Sequence, residues 1–191
     1  MNARLAALPL LTLVALLQGG CASLSKSECL AADWYDLGVR DGASGRPEEY
    51  IVEHAAACER VAVKPDRERW LAGRERGLER YCTARSGYSV GSAGGSFNDV
   101  CFAGGELEFR RGWELGNRMH ALQSRIDELE RQSREIEARL RRADKPADDK
   151  DHLQLSDRER ADLRRRLRDL EFEIGYATRE RESLAAQSRD F

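Results

Sequence analysis

Long apolar runs are scarce in this chain of 191 residues, and the longest, Leu5 to Leu17, covers only 13. That falls short of the roughly 20 residues needed to cross a bilayer as a helix, and it excludes a transmembrane architecture. An excess of one charge sign is also missing: 32 Lys and Arg stand against 34 Asp and Glu, for a net charge of −2. A uniformly basic face for nucleic acid is therefore excluded, and no nucleic-acid partner is expected. Histidines number three (His54, His120 and His152), and neither His120 nor His152 has an evident catalytic companion. A nucleophile elbow, a phosphate loop and a paired-carboxylate pocket are absent as well. The glycine-rich "GSAGGS" lacks the Lys-Ser/Thr of a phosphate loop and follows no strand. No enzyme and no cofactor are expected.

What is present begins with the leader. Arg4 supplies a short positive region, the apolar run follows, and "QGGCAS" places small residues around Cys21. This is the anatomy of an export signal over residues 1–20. "GGC" resembles the end of a bacterial lipobox, in which the cysteine is lipidated and becomes the new N-terminus. Gln18 departs from that pattern, and ordinary cleavage after Ala22 is the competing route. Ala22 beside the cysteine resembles lipoproteins passed on to the outer membrane. The expectation is a chain anchored through lipid on Cys21, palmitate included, facing the periplasm, with residues 21–26 as a tether.

Cysteine arithmetic favours lipidation. There are five cysteines, and an odd number in an exported protein leaves one to explain. With Cys21 lipidated, Cys29, Cys58, Cys82 and Cys101 remain as an even set for two disulfides in an oxidising compartment. Four cysteines allow three pairings. The order of elements favours Cys29–Cys58 across a first helical hairpin and Cys82–Cys101 across a loop. His54 and Cys58 lie one turn apart, a spacing that suits two zinc ligands, but a site needs two more ligands and a reduced thiol; no metal is expected.

The glycines form a repeat. Tyr35, Gly38 and Gly42 recur as Trp70, Gly73 and Gly77, then as Phe109, Gly112 and Gly116. Positions i, i+3 and i+7 share one helix face. Each element thus offers a ring followed by a groove without side chains, and a glycine inside a helix costs about 1 kcal/mol relative to alanine. Close helix packing, with rings laid over a neighbour's glycines, is the expected compensation. Pro47 to Val61 reads as a helix between the first two copies, and Asp66 as the cap of the next. Residues 83–100, glycine-rich with four glycines and no helical period, read as a loop.

"SECLAADWYDLGVRDG", Cys58, "PDRERWLAGRERGLERYC" and "GYSVGSAGGSFNDVC" together closely resemble the bacterial lipoprotein family called domain of unknown function 2799, over roughly residues 25–120. The resemblance implies a small α-helical envelope lipoprotein with a coiled-coil tail. It implies no reaction, cofactor or defined partner.

From Met119 the pattern changes to heptads: Met119, Leu122, Ile126, Leu129, Ser133, Ile136 and Leu140, then Leu163, Leu167, Leu170, Ile174, Ala177 and Leu184, with Arg181 in one seam position. The break at 143–155 holds Pro146 and several aspartates, and "SDRE" at Ser156 is a capping box. An intrachain antiparallel hairpin is the simplest outcome, and a dimer with seams paired between chains is the other.

The sequence therefore predicts an all-α protein: a disulfide-stapled helical domain over 27–118, then a coiled-coil hairpin over 119–191. The expected function is non-enzymatic contact with an unidentified envelope protein. The alternative is a small-ligand or inhibitor-type binding module built on the glycine-rich disulfide loop with Tyr88 and Phe97 as exposed rings.

Overall fold

The computed structural model describes residues 23–102 and 104–190. The leader and Cys21, and with them the expected lipidation, lie outside the described residues. Among those described there is no strand, and the chain is all-α. It divides into two compact units between Gly77 and Leu78.

The first unit starts with α1 (Lys26–Leu30), which is closed by a capping box: Ser25 accepts from the Glu28 amide, and the Glu28 carboxylate accepts from the Ser25 amide at 2.7 Å. Within the expected tether over 21–26, the described residues are packed: Leu24 is buried in the core and Ser25 caps α1. Asp33 then caps α2 (Trp34–Ala43) by accepting from the Tyr35 and Asp36 amides. A 3₁₀ turn (Glu48–Tyr50) leads into α3 (Ile51–Cys58), and a second turn (Glu59–Val61) leads to α4 (Arg67–Tyr81), where Asp66 accepts from the Arg69 amide.

Helices α2 and α4 touch through backbone. A Cβ added at Gly38 would lie 2.0 Å from the Trp70 carbonyl oxygen; at Gly73, 2.0 Å from that of Tyr35; at Gly77, 2.2 Å from that of Val39. No atom fits at such distances, so only glycine permits the contact. The same geometry aims each glycine Cα–H at a carbonyl, a weak hydrogen bond worth about 0.5–1 kcal/mol. The order of contacts fixes the direction. Moving from Gly73 to Gly77 along α4 moves the partner from Tyr35 to Val39 along α2, so the two helices run parallel. Parallel neighbours require a return segment, and α3 supplies it. The return brings Cys58 back beside Cys29, with Cα atoms 5.5 Å apart and the sulfurs bonded.

The second unit repeats the scheme. Its first helix, α5 (Ala84–Ser92), is capped by Thr83, whose hydroxyl accepts from the Ser86 amide. It runs parallel to the first turns of α6 (Gly105–Ala143): Gly87 and Gly91 press on the Phe109 and Trp113 carbonyls, while Gly112 and Gly116 press on those of Ala84 and Tyr88. The return is an extended segment that ends in the Cys82–Cys101 disulfide, with Cα atoms 5.6 Å apart. Residues 83–100 are thus not one loop. Ala84, Gly87 and Gly91 form a fourth small-x2-Gly-x3-Gly element, disguised because alanine replaces the ring and glycine lowers helix propensity.

The rings behave differently from the expectation. Trp70 and Phe109 are fully buried, but the Tyr35 side chain is 38% exposed. What meets the partner glycine is the carbonyl of the ring residue, so the aromatic is free to serve another purpose at each copy.

α6 passes the expected domain boundary at 118 without interruption and packs on α7 (Asp157–Gln187). Arg118 reaches Glu180, Arg125 reaches Glu173 and Arg160 reaches Asp144, so positions fall along one helix as they rise along the other. The pair is an antiparallel hairpin within one chain. Ile126, Leu129, Ile136, Leu170, Ala177 and Leu184 are buried along the seam, and Arg181 occupies its seam position by donating to Gln123. Ser156 and Glu159 form the capping box of α7. The hydrogen bonds from Ser156, side chain first, hold the Glu159 carboxyl below its usual range.

Two tests follow from this packing. Gly73→Ala is expected to cost more than about 3 kcal/mol or to prevent folding, because the obstruction is backbone. Gly175→Ala, where an added Cβ meets only Arg179 Nη1 at 3.4 Å, is expected to stabilise by up to about 1 kcal/mol. Denaturant unfolding of both variants checks the pair, and equal effects would refute backbone contact. The second test is acid. A depressed folded-state value makes the Glu159 contribution present above the unfolded value of about 4.3 and lost as pH falls below it. Glu159→Gln keeps a capping-box side chain but removes this linkage. The unfolding midpoint of the variant should change less between neutral and acidic pH than that of the parent.

Candidate functional site

The buried side chains of the two units differ in chemistry at equivalent places. In the second unit Phe109 lies among Tyr81, at 4.8 Å between ring centroids, and Phe97, at 5.9 Å. Burial pushes the Tyr81 phenol up. Phe97 packs on Trp113 under the Arg110 guanidinium, and Trp113 donates to the Gly95 carbonyl at 2.8 Å. Phe97 is therefore half-buried and not an exposed recognition ring, because the disulfide draws its segment back across α6. Tyr88 is half-buried too. This removes the feature on which a ligand site in the glycine-rich segment was expected to rest.

In the first unit the corresponding ring is Trp70, and it is polar at one edge. Its Nε1 donates to Asp41 Oδ2 at 2.8 Å. The same oxygen lies 2.7 Å from His54 Nε2, and His54 Nδ1 lies 2.9 Å from the Ser23 hydroxyl. A carboxylate only accepts, so Nε2 carries the proton toward Asp41; in the neutral ring Nδ1 then accepts from Ser23. Four elements meet here: the N-terminal segment, α2, α3 and α4. His54 is 2% exposed, and Trp34, Tyr50 and Trp70 stand around its ring at centroid distances of 6.4, 5.1 and 6.4 Å.

Ser23, His54 and Asp41 have the order of a nucleophile, a base and the group that orients it, with the two ring nitrogens used in the opposite sense to serine proteases. The surroundings oppose that reading. Three aromatic rings and near-complete burial leave the imidazole no open side toward an acyl substrate. The array holds the start of the described chain against the core. His54 thus has carboxylate and hydroxyl partners, and Cys58 is committed to its disulfide, so the pair does not meet as metal ligands. Among the described residues no group of three or more His, Cys, Asp or Glu is placed to hold a metal ion.

The remaining expected residues fall as follows. Gly42, like Gly38, is buried on α2, and Cys29, Cys58, Cys82 and Cys101 form the two disulfides. His120 lies against Gly94, and His152 Nδ1 lies 2.8 Å from the Lys145 carbonyl in the hairpin tip. The Ser23–His54–Asp41–Trp70 array has no sequence signature, since its members are scattered and polar contacts across 31 residues leave no local pattern.

Two surfaces stand out beyond this array. On α3, Val52 is 63% exposed and borders a shallow cleft of about 430 Å³ with Ala55, Ala56, Val63 and Pro65. On α7, Phe172 and Tyr176 are 72% and 61% exposed, one turn apart beside a cleft of about 360 Å³ that also takes in Leu122, Arg125 and Glu180. Among the described residues no helix is long and apolar enough to cross a membrane.

This is a helical, disulfide-stapled protein whose two units are built on paired glycine helices. Residues 33–118 match the family described as a protein of unknown function, DUF2799. The matched region begins at the cap of α2 and ends two residues beyond Gly116, so it takes in all four glycine elements. No curated protein and no solved structure matches the chain.

Removing His54 takes one of its two donors from Asp41, whose side chain is only 14% exposed, and leaves only Trp70 Nε1. His54→Ala should cost about 3 kcal/mol and Ser23→Ala about 1 kcal/mol, measured by denaturant unfolding. Ser23 should stay unmodified by a fluorophosphonate probe. An adduct on Ser23 would make the array a nucleophile centre after all.

Proposed function

We propose that this is a non-enzymatic lipoprotein of the bacterial cell envelope. In this reading it is anchored by lipid on Cys21, lies at the outer membrane facing the periplasm, and acts through protein–protein contact with an envelope partner. The single observation that supports contact most is the pair of rings on α7. Phe172 and Tyr176 project from a hairpin whose apolar seam is already filled by its own chain. Exposed aromatics of this kind are costly to keep in water and are enriched where proteins meet. The hairpin then serves as a docking arm. Two disulfides support an oxidising compartment, and the leader and "GGC" at Cys21 support lipidation.

The second reading, a small-ligand or inhibitor-type module on the glycine-rich segment, is disfavoured by the inward packing of Phe97.

The test is site-specific photo-crosslinking in intact cells from position 172 and, for comparison, from position 97. A discrete adduct from 172 that disappears in Tyr176→Ala supports the docking arm. An adduct from 97 alone would move the function to the glycine-rich segment. In parallel, Cys21→Ala should transfer the protein from the membrane to the soluble fraction.

A further inference from the structure

The two exposed rings of α7 lie between two rows of opposite charge. Each residue turns an α-helix by about 100°, so Phe172 and Tyr176 share one stripe, on the side of α7 away from the seam residues Leu170 and Ile174. Arg164, Arg168 and Arg179 follow one flank of that stripe, and Asp169, Glu173 and Glu180 follow the other. Glu173 and Glu180 also reach Arg125 and Arg118 on α6. Arg168, Asp169 and Arg179 are exposed and have no ion pair among the described residues. Charges sorted by sign on either side of an apolar stripe are how a helix selects a helical partner and its direction.

The rows decide which helix fits. Consider a second α7 laid parallel to the first, the two related by a two-fold axis along their length. Phe172 and Tyr176 then face their own counterparts, and the basic flank of each copy runs along the acidic flank of the other. Arg168 meets Asp169 of the second copy and Arg179 meets its Glu180, each pair formed twice by symmetry. Turning the second helix end over end reverses the outcome. Arg168 then lies beside Arg179 and Asp169 beside Glu180, and such like-charge juxtaposition opposes association. The pattern therefore favours a parallel copy of the same helix and rejects an antiparallel one.

We propose that a second copy of this chain docks on the outer face of α7, the two helices parallel, with Phe172 and Tyr176 at the centre and Arg168–Asp169 and Arg179–Glu180 pairs along the margins. The inference rests on the docking-arm reading and names the partner of that arm. The rings supply the buried apolar contact, and the charged margins fix register and direction.

The experiment uses the full chain, co-expressed as two differently tagged copies that both carry Ser183→Cys. Ser183 is exposed on the ring stripe, two turns beyond Tyr176. In a parallel pair it faces its own counterpart; in an antiparallel pair centred on the rings the two copies of position 183 lie about 27 Å apart. Mild oxidation of the cell fraction and a non-reducing gel then report disulfide-linked dimer carrying both tags. The expected result is a clear dimer band, lowered several-fold when both copies carry Arg168→Glu and likewise when both carry Asp169→Arg. Co-expressing one Arg168→Glu copy with one Asp169→Arg copy should restore the band, since each charge change then meets its complement across the interface. A band that neither reversal lowers, or that the mixed pair does not restore, overturns the inference. No band, together with a photo-adduct from position 172 to a different protein, overturns self-pairing and leaves the docking arm standing. No band and no adduct from 172 overturns both.

Discussion

The contact between a glycine Cα on one helix and a backbone carbonyl on its parallel neighbour is the constraint from which the remaining architecture of residues 33–118 follows. Seven glycines make it, with a hypothetical Cβ at 1.8–2.3 Å from oxygen in each case. Such contact brings backbones closer than the 8–10 Å usual for helices separated by side chains. It also removes the side chains that would otherwise bury apolar area there. The units therefore draw their hydrophobic stabilisation from elsewhere: Trp34, Leu37, Ile51 and Trp70 in the first, and Leu78, Tyr81 and Phe109 in the second.

Parallel pairing dictates the disulfides. Two helices that point the same way need a return segment, and that segment must end where the first helix began. Cys29 and Cys58 meet for this reason, and Cys82 meets Cys101 for the same one. Each closes a long loop, and loops of this length lose on the order of 3 kcal/mol of denatured-state entropy when cross-linked. The staples thus restrain the parts of the chain that the glycine contacts leave thinly packed. Both units repeat one order: cysteine, glycine helix, return, cysteine, ring-bearing glycine helix.

Much of this order could be read from the residues. The i, i+3, i+7 spacing identified three of the four glycine helices, and the heptads with "SDRE" marked the hairpin. Where reading failed, the cause is physical. Ala84–Ser92 has poor helix propensity and no ring, so local signals pointed to a loop; pairing with α6 supplies what propensity withholds. The Tyr35 ring was expected over a glycine, but Tyr35 is partly exposed and its carbonyl is what meets Gly73. Whether neighbouring helices run parallel or antiparallel depends on the path of the return segment, and residue spacing alone does not encode it. The Ser23–His54–Asp41–Trp70 array joins residues up to 47 positions apart and could not be found by pattern.

The continuity of α6 has a mechanical meaning. Its 39 residues start inside the second glycine pair and finish at the hairpin tip, a length of roughly 58 Å at 1.5 Å per residue. Such a helix is a lever with its fulcrum at Gly112 and Gly116. The arm beyond those two positions is roughly 44 Å, so a pivot of about 5° there would carry the far end through ~4 Å, assuming the helix stays rigid. Reach and aim at the tip are thereby governed by a few backbone atoms at the base.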